Sequence, residues 1–352
     1  MKGREWYNKL VMKLKDIAQL IKKYRSALMG IAMIWILLFH TSWNMIEPFY
    51  TVIHKGYGGV DIFLFLSGFG IYYSLEKKRP LLSFYWRRIR KIYPSYLVVL
   101  FLVFCQQYSG LRTEGFTRQE LFFSFFANVF LFAFLLWTPL VFNWYIFCIM
   151  YFYLLSPLFH FLIRKRMGPV LLLGSLFISI PFFGNTSYLM VSARLFIFLL
   201  GMYVSYLSEE RPDLRIDIRI IYGLMIIGII VLLYLTTVLP IEIQDRYALY
   251  FYPFMIITPG LVLFLCRLLE KINRGSYPVL ELLGKASLEI YLVNVSFKNG
   301  IFIKIAHYIG WNEWVWPIGI VIMVLMGLGL YFLIKRVMAL LNDLIGKKLH
   351  RQ

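Results

Sequence analysis

A chain of 352 residues that is 60% hydrophobic, 19% aromatic and only 16% charged, with a mean hydropathy of +0.70, does not belong with soluble globular domains, where about a quarter of residues are charged. Its net charge of +19 would suggest nucleic acid in a soluble protein, but lysines and arginines gathered in cytoplasmic loops account for it, and no nucleic-acid partner is expected. Cys105, Cys148 and Cys266 lie in apolar runs without CxxC or metal-ligand spacing, which argues against both a disulfide framework and a metal site.

Residues 1–25 are basic and helix-prone. Trp6, Leu10, Leu14, Ile17 and Ile21 recur at helical spacing, with Lys9, Lys13, Lys22 and Lys23 elsewhere. That pattern suits an amphipathic helix on an anionic membrane surface, and the charge alone also serves as an orientation signal. No small-residue cleavage site follows the next apolar run, so the first span is expected to be retained.

Apolar runs place membrane spans at 26–46, 59–78, 93–109, 143–164, 168–185, 188–207, 217–239, 247–268, 284–305 and 315–341. The stretch 118–137 is apolar enough to be another, and charge decides against it. With the basic N-terminus inside, Arg87, Arg88, Arg90 and Lys91 fall inside after two crossings. Arg164, Lys165 and Arg166 also fall inside only if 118–137 is re-entrant or interfacial. The sequence therefore predicts an all-α, polytopic integral membrane protein of the cell membrane, with ten transmembrane helices and both termini cytoplasmic. The membrane domain is 26–341, between the amphipathic segment 1–25 and a cytoplasmic tail, 342–352.

Ionisable groups within spans are costly and point to function. His40 ends the run SALMGIAMIWILLFH, roughly 21 Å above Ser26 and so in the outer half of the bilayer. Asp61 opens the next span at similar depth, where a carboxylate could orient the imidazole as a general base. A buried polar pair joining two helices is the plainer reading. Ile36, Met33 and Met29 lie below His40 on one face, with Arg25 near the inner boundary; such a stripe lines a passage or simply packs. The cluster RRIRKIYPSY serves topology or binds phosphates. Arg194 is placed to bind a polar acceptor or to snorkel. Trp144 and Tyr145 belong to an aromatic belt or stack on sugar. Glu289 and Lys298 are further charges within the ninth span.

Six segments, LMGIAMIWILLFH, GYGGVDIFLFLSGF, FYWRRIRKIYPSY, FNWYIF, RLFIFLLGM and LGKASLEIYLVN, resemble in this order the acyltransferase family 3, integral membrane enzymes that modify extracytoplasmic glycans. The resemblance covers most of residues 25–296 and implies ten spans. It also implies transfer from cytoplasmic acyl-CoA to a hydroxyl on the far side, most often as O-acetylation. It makes His40 the essential base or acyl carrier with Asp61 as its orienter. Arg25, Ser67, Arg87, Arg88, Arg90 and Tyr93 become donor-site residues, and Trp144, Tyr145 and Arg194 acceptor-site residues. Acyl-CoA enters as co-substrate with no bound cofactor; the expected partners are membrane lipid, acyl-CoA and the glycan. Met29, Asn294 and Ile149 stand where many members carry Arg, His and Glu. A glycan or lipid-intermediate transporter, or a scaffold on the same fold, are the rival readings.

Overall fold

The computed structural model describes residues 10–41, 43, 45–77, 79–136, 138, 142–180, 186–272 and 277–349. In chain order the elements are β1 (Val11–Lys13), α1 (Leu14–Phe39), α2 (Phe49–His54), α3 (Gly58–Glu76), α4 (Leu81–Thr113), α5 (Arg118–Val129), α6 (Ala133–Leu136), α7 (Trp144–Leu162), α8 (Gly168–Ile178), α9 (Thr186–Glu210), β2 (Arg215–Asp217), α10 (Ile218–Val238), α11 (Ile241–Tyr247), α12 (Phe254–Lys271), α13 (Pro278–Lys285), α14 (Ser287–Ile309) and α15 (Val315–Leu349).

Among the described residues, seven helical stretches are long and apolar enough to cross a membrane: α3, α4, α7 continuing into α8, α9, α10, α12 and α15. The chain is a multi-pass, helical membrane protein. Two more helices fall outside that set because of their charges. The N-terminal half of α1 is the charged LKDIAQLIKKYR, and α14 carries Glu289, Lys298 and Lys304. Between α7 and α8 the backbone of Arg166 enters the left-handed region (φ 64°), which ends one helix and starts another.

The stretch 118–137 does not form a spanning helix. Its α5 has 12 residues, about 18 Å of helix against a hydrocarbon core of about 30 Å. Thr117 and Glu120 cap its start reciprocally, and Leu131 (φ 62°) turns the chain before the four-residue α6. Asn128 anchors the returning chain: its Oδ1 accepts the Phe142 N–H at 2.9 Å, and its carbonyl accepts the Tyr96 hydroxyl at 2.9 Å.

The chain divides into two compact units. The first comprises Met1–Ala32, Tyr57–Tyr85 and Cys148–Glu281. In it β1 pairs antiparallel with β2, Val11 opposite Asp217 and Lys13 opposite Arg215, and Lys13 Nζ reaches Asp213 at 2.7 Å. Leu14, Ile17 and Ile21 are buried within the protein. The apolar stripe expected on the membrane surface is therefore core, each such side chain contributing about 1.5–3 kcal/mol over exposure to water. Trp6 and Lys9 lie outside the described residues. Helices α3 and α9 approach closely because Gly68 and Gly201 carry no side chain: the Phe198 and Phe65 carbonyls stand where a Cβ would go. Ser205 Oγ then donates across the contact to the Phe69 carbonyl at 2.9 Å.

The second unit comprises Met33–Gly56, Trp86–Phe147 and Leu282–Gln352. Here α14 and α15 pack with Gly327 against the Ile290 backbone. Helix α4 is tied to α14 by Ser95 Oγ, which donates to Glu289 Oε1 at 2.6 Å in a buried setting. This unit carries His40.

Candidate functional site

Helix α1 delivers His40 at its C-terminal end. The His40 N–H reaches the Ile36 and Leu37 carbonyls at 3.2 Å, and Thr41 closes the turn by donating its hydroxyl to the Leu38 carbonyl at 2.7 Å. The residue as a whole is partly buried. Its Nδ1 is hydrogen-bonded to Oδ1 of Asn294, a residue 0% exposed on α14.

A second contact fixes which way the Asn294 amide points. Its Nδ2 donates to the Met323 sulfur at 3.4 Å. Turned over, the amide would set its oxygen against a thioether that can only accept. With Oδ1 toward the ring, Nδ1 must carry the proton, and the lone pair is left on Nε2. Asn294 thus selects the Nδ1–H tautomer, which leaves Nε2 able to accept a proton. Asn294, rather than a carboxylate, takes the Nδ1 contact expected of Asp61. Lys298, one turn beyond Asn294, is close enough for its charge to act on the imidazole. Sequence reading passed over Asn294 as a departure and Lys298 as a stray charge; a carboxamide within an apolar span was the available signal.

Asp61 belongs to the other unit, on α3, and has its own counter-charge. Its Oδ1 lies 3.7 Å from Nε of Arg194 on α9. Arg194 is 1% exposed: Nη1 donates to the Met190 carbonyl at 2.9 Å, and the guanidinium lies 3.9 Å over the Phe251 ring. In this conformation Arg194 does not present itself to an acceptor. The pair is a buried ion pair between two helices, and removing one partner of such a pair is far more costly than the pair's net worth.

The six residues expected at a donor site divide between the units. Arg25 and Ser67 are in the first. Arg25 Nε donates to the Leu66 carbonyl at 3.2 Å and its guanidinium packs against Gly70, while Ser67 is buried on α3. Arg87, Arg88, Arg90 and Tyr93 are in the second, on the first turns of α4. Of these four, Arg90 lines a cavity of about 330 Å³ together with Lys91, Lys285 and Lys335, and hydrogen-bonds Asn342.

Trp144 and Tyr145 are half-buried at the start of α7, where Asn143 Oδ1 caps the helix by accepting the Tyr145 and Ile146 N–H groups at 3.1 Å. The Tyr145 ring meets Tyr291 edge-on at 5.1 Å, one turn of α14 below Asn294. The aromatic pair and the imidazole are therefore served by the same helix. Among the described residues no group of His, Cys, Asp and Glu could hold a metal ion.

A family model described as an acyltransferase domain matches residues 27–336. No curated protein matches the chain, and no solved structure does.

Proposed function

The chain belongs to this acyltransferase family and is an acyltransferase, and from that premise we propose that it moves an acyl group, most readily acetyl, from cytoplasmic acyl-CoA to a hydroxyl of an extracytoplasmic glycan. The protein stands in the cell membrane with ten spans and both termini cytoplasmic. The charge-bearing helices α1 and α14 supply two of those spans, and the re-entrant α5–α6 segment supplies none.

The observation that carries this reading is the His40–Asn294–Met323 relay. It leaves Nε2 with a lone pair inside a membrane protein whose family transfers acyl groups. In the direct route, Nε2 takes the proton of the acceptor hydroxyl as its oxygen attacks the thioester carbonyl. The tetrahedral adduct then collapses, the C–S bond breaks, and the imidazolium returns its proton to the departing thiolate. In the alternative route Nε2 itself attacks the thioester and the C–S bond breaks to release the CoA thiolate; the acceptor oxygen then attacks the acyl-imidazole, the C–N bond breaks, and the hydroxyl proton passes to the thiolate. Either way Asn294 Oδ1 holds the positive charge that forms at Nδ1–H, and Lys298 stands where it can offset negative charge on the carbonyl oxygen.

Asn294 is about 10 Å beyond the start of α14 at Ser287, measured along the helix. Arg87, Arg88, Arg90 and Tyr93, with Arg25 and Ser67, are the residues assigned to the donor. Trp144 and Tyr145 offer a face for a sugar ring. Asp61 and Arg194 act through the helices they join.

The test is a comparison, by mass, of cell-surface glycans with and without the gene. A loss of one acyl group per repeat supports the proposal, and unchanged glycans overturn it. Purified protein that carries glycan across vesicles without consuming acyl-CoA would establish transport instead.

A further inference from the structure

Beside Arg90 lies a cavity whose three lysines have no part in the donor assignment. It is about 330 Å³, and four cations border it: Arg90 and Lys91 from α4, Lys285 from the end of α13, and Lys335 from α15. One carboxylate, Glu289, also borders it and is engaged by Ser95 at 2.6 Å. The walls between the cations are apolar, formed by Leu288, Ile334, Met338 and Ala339. The neighbouring surface of α15 continues apolar and exposed through Leu333, Val337, Leu340 and Leu341.

At about 100° per residue, Leu288 and Glu289 project about 120° and about 140° around the α14 axis from Asn294, whereas on α15 the cavity residue Ile334 lies within about 20° of Met323, which Asn294 touches. A cationic rim over apolar walls, at the basic end of a lipid-facing helix, has the chemistry of a phospholipid site: phosphate on the cations, acyl chains along the leucines.

We propose that this cavity binds the headgroup phosphate of an anionic phospholipid of the cytoplasmic leaflet. The site rests on the membrane topology above but not on the identity of the acceptor or of the acyl group.

The experiment uses the full chain purified in detergent and scored by native mass spectrometry for retained phosphatidylglycerol, with phosphatidylcholine as the zwitterionic control. Wild-type protein retains phosphatidylglycerol selectively. Lys285→Gln/Lys335→Gln loses about tenfold or more of that retention, since each cation near a membrane surface contributes appreciably to anionic-lipid binding. Ala339→Glu, which removes no lysine and adds a carboxylate at an exposed lip of the cavity, loses it as well, so the test survives if the double variant does not fold. Equal retention by wild type and both variants overturns the proposal. So does displacement of the lipid by acyl-CoA, which would make the cavity part of the donor site, or by inorganic phosphate at comparable concentration, which would make it a general anion site. Acyl transfer by the variants is read separately: its survival alongside lost lipid retention leaves the enzyme reading intact.

Discussion

His40 and Asn294, 254 positions apart in the chain, meet through Nδ1 and Oδ1, and that contact decides which nitrogen of the imidazole keeps a lone pair. The arrangement does with a neutral amide what a carboxylate does in many hydrolytic sites. An amide orients the ring and fixes its tautomer but adds no negative charge to steady the imidazolium. In this chain the ring is therefore positioned more than its basicity is raised.

Replacing His40 with Ala removes the base and the acyl carrier together. Acyl transfer to the glycan should fall by about 10²–10⁴-fold, measured as acylated product per unit of membrane protein. A His40→Ala protein as active as wild type would remove the ring from the mechanism.

Asn294 acts through His40, so its variants should separate by hydrogen-bonding capacity. Asn294→Leu leaves the Nδ1 proton without an acceptor and should lower kcat roughly tenfold to a hundredfold, the rate equivalent of about 1.5–3 kcal/mol for a hydrogen bond to a charged group. The KM for acyl-CoA should change little. Asn294→Asp keeps an acceptor and should recover most of the rate. Equal loss in both variants would mean that Asn294 matters only to packing.

For the Asp61–Arg194 pair the expectation concerns stability. Arg194→Ala strands a buried carboxylate and should cost about 3–5 kcal/mol, seen as a large drop in the thermal midpoint of the detergent-solubilised protein. Removing Asp61 as well relieves that penalty, so the double variant Asp61→Ala/Arg194→Ala should be more stable than Arg194→Ala alone. A double variant less stable than either single one would show that the pair is worth more than its desolvation.

The β1–β2 ribbon outside the membrane should respond to acid. The Lys13 hydrogen bond and charge hold the Asp213 carboxyl below its ordinary range, and the Arg219 hydrogen bonds do the same for Asp217. Both folded-state values lie below the unfolded ones, so the stabilisation is present above about pH 4 and fades as pH falls through the folded values. Amide protection at Val11–Lys13, corrected for intrinsic exchange, should be flat between about pH 5 and 8 and fall below about pH 4. Protection that instead rises on acidification would reverse the sign of the linkage.

Topology is checked with introduced cysteines in a Cys105→Ser background, where the remaining Cys148 and Cys266 are buried. Glu114→Cys should react with an impermeant reagent from outside, and Lys165→Cys only after the membrane is opened. Outside labelling of Lys165→Cys would make the 118–137 stretch a crossing after all.

Much of this was legible from residue order alone. Apolar runs of about twenty residues announce membrane helices because lipid leaves the backbone nothing else to bond with. The positive-inside bias argues against a crossing at 118–137, and the helix there, α5, has 12 residues. The family followed from six segments in order, and the imidazole stood out as an ionisable group in an apolar run.

What residue order did not carry was partnership. Periodicity says which face of a helix is apolar, not what lies against it. Hence Leu14, Ile17 and Ile21, which suit a lipid surface, are buried in protein. Asp61, expected to face the ring, has Arg194 as its counter-charge, and Asn294, noted as a missing His, supplies the hydrogen bond at Nδ1. Arg90 reads like its neighbours in RRIRK, yet helical rotation turns it to a cavity bordered by lysines from α13 and α15. Those pairings depend on how far each helix is rotated about its axis, and that angle is set by packing between residues hundreds of positions apart.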